Sequence, residues 1–290
     1  MKYFKIEKLI PLLALTLIFL VSACSTARRE NNISKNEKDA LSAKYTSTLL
    51  EPHIPYRPKD GIVKIYGAGG PQTAIIPVAK LYEEKTGTKV EVNFGPESKW
   101  TENAQKDADI LWGTAEQGLT AFLETYTEFK SKDAEPIYLR PAAIAVKPGN
   151  PKNIHSIEDL FKPGIGIVVV EGAGVYNTSG TGVWEDVVGR MGRLEDLKKF
   201  RKNIIAFAKG SGAGFKAFKQ PNADAWITWN YWIMDNPGEA DLVEIDEARR
   251  IYRDLTVVTN DKADPQARDF IEFLKSDEAA KIFKSHGWDK

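Results

Sequence analysis

The residues in this sequence most suited to chemistry lie in the stretch EGAGVYNTSGTGVWEDVVGR, residues 171–190. It holds five glycines and several hydroxyl side chains before an amphipathic run, as do loops that bind nucleotide phosphates at helix N-termini. The dinucleotide motif requires glycine at its first, third and sixth positions, but the sixth is Asn177 counted from Gly172 and Glu185 counted from Gly180. A P-loop requires a lysine, and the stretch contains none. The spacing therefore excludes both common nucleotide sites and leaves another ligand or none.

Catalysis finds little support elsewhere in the chain. The three histidines lie far apart, and none forms a pair at helical spacing for a metal. Ser179 lacks the Gly-x-Ser-x-Gly context of a hydrolase, because Asn177 and Thr181 flank it. Asp107 and Asp109 precede a strand, where paired acids are typical of a solvated turn. The sequence thus predicts a protein that is not an enzyme and has no metal site and no cofactor.

Three further loops combine glycine and hydroxyl residues in the same way. They are GAGGPQT, GPESKW and KGSGAG, and with NTSGTG they all fall between a predicted strand and a predicted helix. Ligands of α/β proteins bind beyond the carboxyl ends of the strands, and helix N-termini favour anions. We therefore predict a cage for a small anion, with these candidate ligand-binding residues: Gly69, Gly70, Thr73, Ser98, Trp100, Thr178, Ser179, Gly180, Thr181, Ser211 and Gly212.

Each candidate has a simpler alternative. A glycine-rich turn before a helix is often only a turn, and Trp100 either closes over the ligand or packs. Lys99 and Arg140 are the nearest charge partners for an anion and would favour carboxylate or sulfate over a neutral solute, although a solvated surface position is the commoner fate. The tryptophans of DAWITWNYWIM recur every three residues, which indicates a packing seam on a helix or at its start. Stacking against a sugar or an aromatic ligand is the alternative.

The elements that must position these loops alternate between strand and helix from Gly61 onward, which predicts an α/β fold with a mostly parallel sheet. Three residues predict the limits of the first helix. Pro77 has no N–H to donate, so the helix should begin near Ala74 with Thr73 as its cap, and Gly87 should end it.

The N-terminus predicts export. Three lysines precede an apolar run, Leu9 to Ala23, that is shorter than the ~20 residues of a membrane-spanning helix. We interpret residues 1–23 as a lipoprotein signal peptide and Cys24 as its lipidation site; an uncleaved anchor is the alternative. Residues 24–60 are polar and end in prolines, which is typical of a tether.

The cysteine count and the charge balance limit the disulfides and the binding partners that the protein can have. Cys24 is the only cysteine, so the fold has no internal disulfide. Loss of residues 1–23 would leave 37 basic and 39 acidic side chains, a balance that gives no reason to expect nucleic acid as a partner.

The order of the segments YGAGGPQTA, NFGPESKW, ADILWG, VVVEGAGVYNTSGTGVWEDVVGR, DAWITW and IYRDL resembles the accessory colonization factor C family of solute-binding proteins. These are relatives of the periplasmic molybdate- and sulfate-binding proteins. The resemblance implies a type II periplasmic-binding-protein fold. Two lobes, each a mixed, mostly parallel sheet flanked by helices, would be joined by crossover strands near 138–146 and 251–258. Lobe 1 would comprise residues 61–140 and 255–290, and lobe 2 residues 141–254. The layout of the molybdate binders also adds Thr228 as a ligand contact.

The expected function follows from this resemblance. The protein would be a monomeric, lipid-anchored extracytoplasmic binder, in the periplasm or on the outer face of the cytoplasmic membrane. It would capture a small anion, either a sulfate- or molybdate-like oxyanion or a small carboxylate, between its lobes. An ABC-type membrane transporter or a sensory receptor would read the closed state, and the membrane would be contacted through lipidated Cys24 only. A polar organic ligand such as a sugar acid, or a surface colonization role without a transported ligand, are the alternatives.

Overall fold

The computed structural model describes residues 55–171 and 180–290, and this part of the chain forms an α/β fold around one mixed sheet. The described strands are β1 (Val63–Gly67), β2 (Val90–Phe94), β3 (Ile110–Gly113), β4 (Ala134–Val146), β5 (Ile167–Val170), β6 (Ile204–Ala208), β7 (Ala225–Trp229), β8 (Asp241–Glu244) and β9 (Tyr252–Thr259). The described α-helices are α1 (Gln72–Thr86), α2 (Thr101–Asp107), α3 (Glu116–Thr125), α4 (Val183–Gly189), α5 (Leu194–Lys202), α6 (Ser211–Phe218), α7 (Asn230–Met234), α8 (Gln266–Leu274) and α9 (Asp277–Ser285).

The sheet has two parallel groups connected by long antiparallel strands. The strand order is β2-β1-β3-β9-β4-β7-β5-β6, and β8 also pairs with β4. Strands β1, β2 and β3 are parallel to one another, as are β5, β6 and β7. The first half of β4 pairs with β9, and its second half pairs with β7 and β8. The predicted α/β class with a mixed sheet is confirmed, and β4 runs through both groups. The exact lobe limits stay a prediction.

The first strand–helix unit differs in detail from the prediction. Helix α1 begins at Gln72, two residues before the expected start, and Thr73 does not cap it, because the Thr73 hydroxyl donates to the Gly70 carbonyl at 3.2 Å. Pro77 therefore lies inside the helix rather than in its first turn. Gly87 ends the helix as predicted, with a left-handed φ of 73°.

The three tryptophans of the segment 225–234 do not form one seam. Trp226 and Trp229 both lie on β7, where residues three apart point to opposite faces of the sheet. Trp226 packs edge-on against Trp232 at 5.5 Å, together with Phe215 of α6, while Trp229 belongs to the core on the other face. The predicted seam is wrong, because a spacing of three brings side chains to one face of a helix but to opposite faces of an extended strand.

Asp109 is not part of a solvated turn as expected, but is fully buried beside β3. Its carboxylate accepts the backbone N–H of Lys64 at 2.8 Å and that of Asp264 at 2.7 Å. The Asp264 carboxylate in turn accepts the N–H groups of Asp60 and Gly61. Burial raises the pKa of Asp109 to about 6. This network fixes the chain just before β1 to the start of α8.

Candidate functional site

A buried cation lies where β4 passes from one parallel group to the other. Arg140 pairs in register with Arg253 of β9, and its side chain is 0% exposed. One guanidinium nitrogen, Nη2, donates to the Thr114 carbonyl at 3.0 Å. The other two nitrogens, Nε and Nη1, have no hydrogen-bond partner among the described residues. Because buried polar groups are nearly always paired, two unpaired donors on one buried side chain are unusual.

Aromatic rings, rather than acids, surround the Arg140 guanidinium. Its carbon atom Cζ lies 4.8 Å from the ring centroid of Trp229, 5.1 Å from that of Tyr231 and 4.6 Å from that of Trp288. The fold brings them together from three places. Trp229 is opposite Ala142 on β7, Tyr231 lies in the first turn of α7, and Trp288 follows α9 near the C-terminus. Ring faces stabilise a cation without offering an acceptor oxygen to its N–H groups.

Burial has the largest effect on the pKa values of the ionisable groups in this cluster. It lowers the pKa of Arg140 to about 10; Tyr231 and Asp254 raise this pKa by smaller amounts, and Arg253 lowers it further. The guanidinium thus stays charged at neutral pH. Burial also raises the pKa of the Tyr231 phenol, so that this group stays neutral. The result is a desolvated positive charge with no carboxylate in ion-pair contact within the described ranges.

The loop after β1 lies directly against this cation. A Cβ atom added at Gly70 would be 3.4 Å from Arg140 Nη1 and 3.2 Å from the Tyr231 hydroxyl. Gly70 has a φ of 134°, which side-chain-bearing residues rarely adopt, and its N–H donates to the Gln72 side chain. Of the predicted residues in this loop, Gly70 is buried at the site, Thr73 is hydrogen-bonded to it, and Gly69 is exposed.

A second group of predicted residues meets at the carboxyl ends of β5 and β6. A Cβ atom added at Gly180 would lie 3.1 Å from the Ser211 hydroxyl oxygen, and the Thr181 hydroxyl donates to the Glu171 carbonyl at 3.2 Å. Gly212, next to Ser211, is exposed. A cavity of about 280 Å³ beside this group is lined in part by Thr181 and Arg201. Thr178 and Ser179 lie outside the described residues, as does Cys24.

The remaining predicted residues are not brought to Arg140. Ser98 and Lys99 are exposed on a short 3₁₀ turn. Trp100 packs in a separate aromatic cluster, stacked on Tyr126 at 5.7 Å, with its indole N–H donated to the Gly95 carbonyl. Of the two alternatives for Trp100, closure over a ligand or packing, the structure shows packing. Thr228 is buried with an unpaired hydroxyl, but strand alternation points it to the face of β7 opposite Trp229.

The described residues contain no group of three or more His, Cys, Asp or Glu side chains placed to hold a metal ion. None of the helices in residues 55–171 and 180–290 has the length and apolar character needed to cross a lipid bilayer.

The comparisons with known proteins agree with this architecture. The model of the bacterial extracellular solute-binding protein family matches residues 63–289. The chain belongs to this family. Membership implies that the protein is exported and confirms the expected type of protein, a solute binder. No curated protein sequence matches the chain.

Solved structures give the same result. PEB3 from Campylobacter jejuni is 44% identical, with a TM-score of 0.73, over 79% of this chain and 99% of PEB3. A structure of PEB3 with L-phospholactate bound is 45% identical, with a TM-score of 0.75 and the same two coverages. The periplasmic molybdate-binding protein of Azotobacter vinelandii is 14% identical over 79% of this chain and 99% of its own, with a TM-score of 0.59, and shows a shared fold alone. The expected type II periplasmic-binding-protein fold is confirmed.

Sequence reasoning missed two members of the Arg140 cluster in this solute-binding protein. Tyr231 carried a usable signal, because it follows a strand end directly, in the position shared by the four candidate loops. Trp288 carried none, since it lies near the C-terminus, 148 residues beyond Arg140 in a sequence that gives no sign of the contact. For Arg140 the sequence favours a solvated surface position, and the structure buries the side chain instead.

Proposed function

We propose that this protein captures a small organic anion that carries a carboxylate or phosphate group, with Arg140 as the counter-charge. The observation that supports this is the fully buried guanidinium, which among the described residues has two unpaired donors and no carboxylate in hydrogen-bond contact. Leaving such donors without acceptors in a buried site is costly, and hydrogen bonds from a charged donor to an anion are among the strongest in proteins. A bound anion would satisfy both the charge and the donors.

The chemistry of the cluster favours an anion over the other solute classes. A cation would be repelled by Arg140, and a neutral sugar would leave the buried charge unneutralised. The PEB3 structure with L-phospholactate supports a ligand that bears both a phosphate and a carboxylate. We infer that sulfate and molybdate, which are smaller and lack a carbon skeleton, are weaker ligands here.

The ligand would bind between the two lobes, residues 61–140 with 255–290 and residues 141–254, and closure would present the complex to an ABC-type transporter or a sensory receptor. Gly70 comes from the first lobe and Tyr231 from the second, so an anion at Arg140 would contact both. For the N-terminus we propose cleavage after residue 23 and lipidation of Cys24, which would hold the exported protein at the cell envelope.

Thermal unfolding of the purified protein against a panel of sodium salts tests the ligand class. The panel is L-phospholactate, phosphate, citrate, sulfate and molybdate, with chloride at matched ionic strength. A ligand at one hundred times its dissociation constant should add about 2.7 kcal/mol of stability, a shift of a few degrees in the midpoint. We expect L-phospholactate to give the largest shift.

Two variants make the test specific to the site. Arg140→Met should lose the shift, whereas Arg253→Met should keep it, because Arg253 is the register neighbour but pairs with Asp186 at 2.6 Å outside the aromatic cluster. A full shift in Arg140→Met, or no shift for any organic anion in the unaltered protein, would show that the buried cation is not an anion site.

A further inference from the structure

The C-terminal residues 286–289 are built into the Arg140 cluster. The backbone of Asp289 forms a two-way bridge with Leu139, with N–O distances of 2.7 and 2.8 Å, directly beside Arg140. The carbonyl of Gly287 accepts the Asn230 side-chain amide at 2.7 Å. This segment, although last in the sequence, is therefore tied to β4 on one side and to the start of α7 on the other.

Trp288 lies at the centre of this segment and is fully buried. Its ring is the nearest of the three to the Arg140 guanidinium, and it stacks on Tyr231 at 6.0 Å with 20° between the ring planes. Its indole N–H has no hydrogen-bond partner in the described part of the chain. Three unpaired donor atoms, Arg140 Nε, Arg140 Nη1 and Trp288 Nε1, thus belong to one buried cluster.

An unpaired indole N–H alone would mean little, because Trp226 and Trp232 also lack a hydrogen-bond partner for theirs among the described residues. Trp226 packs against Phe215 and Trp232, on the opposite face of the sheet from Trp229, in a cluster that is apolar, and Trp232 also contacts Tyr231 with 5.7 Å between the ring centroids. Trp288 differs because its ring contacts a cation whose own donors also lack acceptors. Because the Trp288 ring centroid lies 4.6 Å from the guanidinium carbon, an acceptor bound to Arg140 would lie next to Trp288.

We infer that Trp288 is a ligand-binding residue, which donates its indole N–H to the bound anion while its ring face holds the Arg140 guanidinium. This inference rests on the proposed function of the site. Its ligand must present at least two acceptor oxygens, one for the guanidinium and one for the indole, as the carboxylate and phosphate of L-phospholactate do. The indole N–H then acts as a neutral second donor that adds directional selectivity without a second charge.

Substitution of Trp288→Phe tests the donor separately from the ring. Phenylalanine keeps an aromatic face against Arg140 but has no N–H. We expect the dissociation constant of L-phospholactate, measured by titration calorimetry on the full chain, to rise about 10- to 100-fold, the usual effect of losing a hydrogen bond to a charged group. Trp226→Phe is the matched control, since it removes an equally buried and equally unpaired N–H from the apolar cluster, and it should leave the constant unchanged.

The outcomes separate this inference from the proposed function. Unchanged binding by Trp288→Phe, with binding lost in Arg140→Met, would overturn the role of Trp288 and leave the anion site standing. Equal weakening by Trp288→Phe and Trp226→Phe would also overturn it. Absence of binding by the unaltered protein would refute both.

A measurement on the unaltered protein covers the case in which Trp288→Phe does not fold. The chain has seven tryptophans, so ¹⁵N-labelled indole groups give at most seven N–H resonances. Saturation with L-phospholactate should move one of them downfield, as expected for a new hydrogen bond to an anion. No downfield movement of any indole resonance at saturation would rule out the proposed donor.

Discussion

Replacement of Arg140 by methionine should destabilise the ligand-free protein less than the loss of a paired buried charge would. The lowering of the Arg140 pKa to about 10, mainly by burial, means that the folded protein disfavours the charged form by about 3 kcal/mol. Methionine is unbranched, carries no charge, reaches about as far as the Nε position of arginine and makes favourable sulfur–aromatic contacts of about 0.3–1.5 kcal/mol. The substitution removes the desolvation cost and fills the space of the aliphatic part of the side chain, but not that of the guanidinium.

Two losses oppose this gain. The Thr114 carbonyl loses its hydrogen bond from Nη2, which costs about 1–3 kcal/mol if no water replaces it. The cation–π contacts with the surrounding rings also disappear, at about 0.5–2 kcal/mol each. The removed desolvation cost and the sulfur contacts offset most of this loss, so we expect the free energy of unfolding of Arg140→Met to fall by less than about 3 kcal/mol.

Arg249 provides the contrasting control. It is also almost fully buried, but it pairs with Glu158 at 2.9 Å and with Asp196 at 2.7 Å. Arg249→Met would leave Asp196 buried without a partner, and removal of one member of a buried ion pair costs about 3–5 kcal/mol. Urea denaturation of both variants, in buffer without multivalent anions, measures the comparison.

The refuting result is a loss of more than about 3 kcal/mol in Arg140→Met, similar to that in Arg249→Met. Such a loss would mean that Arg140 is a satisfied structural cation, whose aromatic contacts outweigh its desolvation. The assignment of its unpaired donors to a ligand would then lose its physical basis. A small or favourable change, together with the loss of the anion-dependent shift, would identify Arg140 as a residue kept for binding rather than for stability.

Three further predictions concern the loop against Arg140, the packing of β1 against Trp112 and the buried carboxylate of Asp109. Gly70→Ala should weaken anion binding and destabilise the fold by about 1–2 kcal/mol. Gly95→Ala is the control: Gly95 has a comparable φ of 110° but no atom within 4 Å of the added Cβ, so this variant should show the backbone strain without the loss of binding. Equal binding by both variants would count against Gly70. Gly67→Ala should lower the free energy of unfolding by about 1–3 kcal/mol, because its Cβ would lie within 2.6 Å of the Trp112 ring, and an unchanged denaturation midpoint would contradict this. Asp109 has a pKa of about 6 in the folded protein, above its ordinary 3.8, so the native state binds this proton more tightly than the unfolded state does. The contribution of Asp109 to the free energy of unfolding is therefore fully present below pH 3.8 and falls by about 3 kcal/mol as the pH rises through 6. Denaturation of the unaltered protein and of Asp109→Asn between pH 4 and 7 should show the free energy of unfolding of the unaltered protein falling relative to that of the variant as the pH rises. A difference that does not change with pH would disprove the assignment.

Local sequence signals were sufficient for most of the fold. Strand–glycine–helix units such as β1–α1 and β6–α6 have both the periodicity and the turn residues, so their order and class could be predicted. Helices α3 and α5 and strand β8 were not anticipated. Strand β8 is four residues long and largely exposed, so it has no apolar pattern to detect.

The candidate site was predicted only in part, because its charge comes from contacts that are distant in the sequence. Loop composition was enough to find Gly70, whose position against the cation depends on a glycine. Whether Arg140 is buried or solvated depends on Trp229 from β7 and Trp288 from the C-terminus, which only tertiary packing brings together. Trp100 shows the opposite case, since an exposed-looking loop position is covered by Phe122 and Tyr126 from elements further along the chain.

Within the described residues no carboxylate is in hydrogen-bond contact with Arg140, and this bears on the selectivity of the proposed site. A carboxylate partner would stabilise the ligand-free protein, but an incoming anion would then have to displace it and would gain little. Three aromatic rings instead stabilise the cation through their faces and leave the Nε and Nη1 donors available for an anion. The low-dielectric surroundings that lower the pKa of the guanidinium also strengthen its attraction for an anion that enters without its water. The same enclosure that makes Arg140 expensive to bury therefore favours a tightly held, fully desolvated anion over a hydrated one.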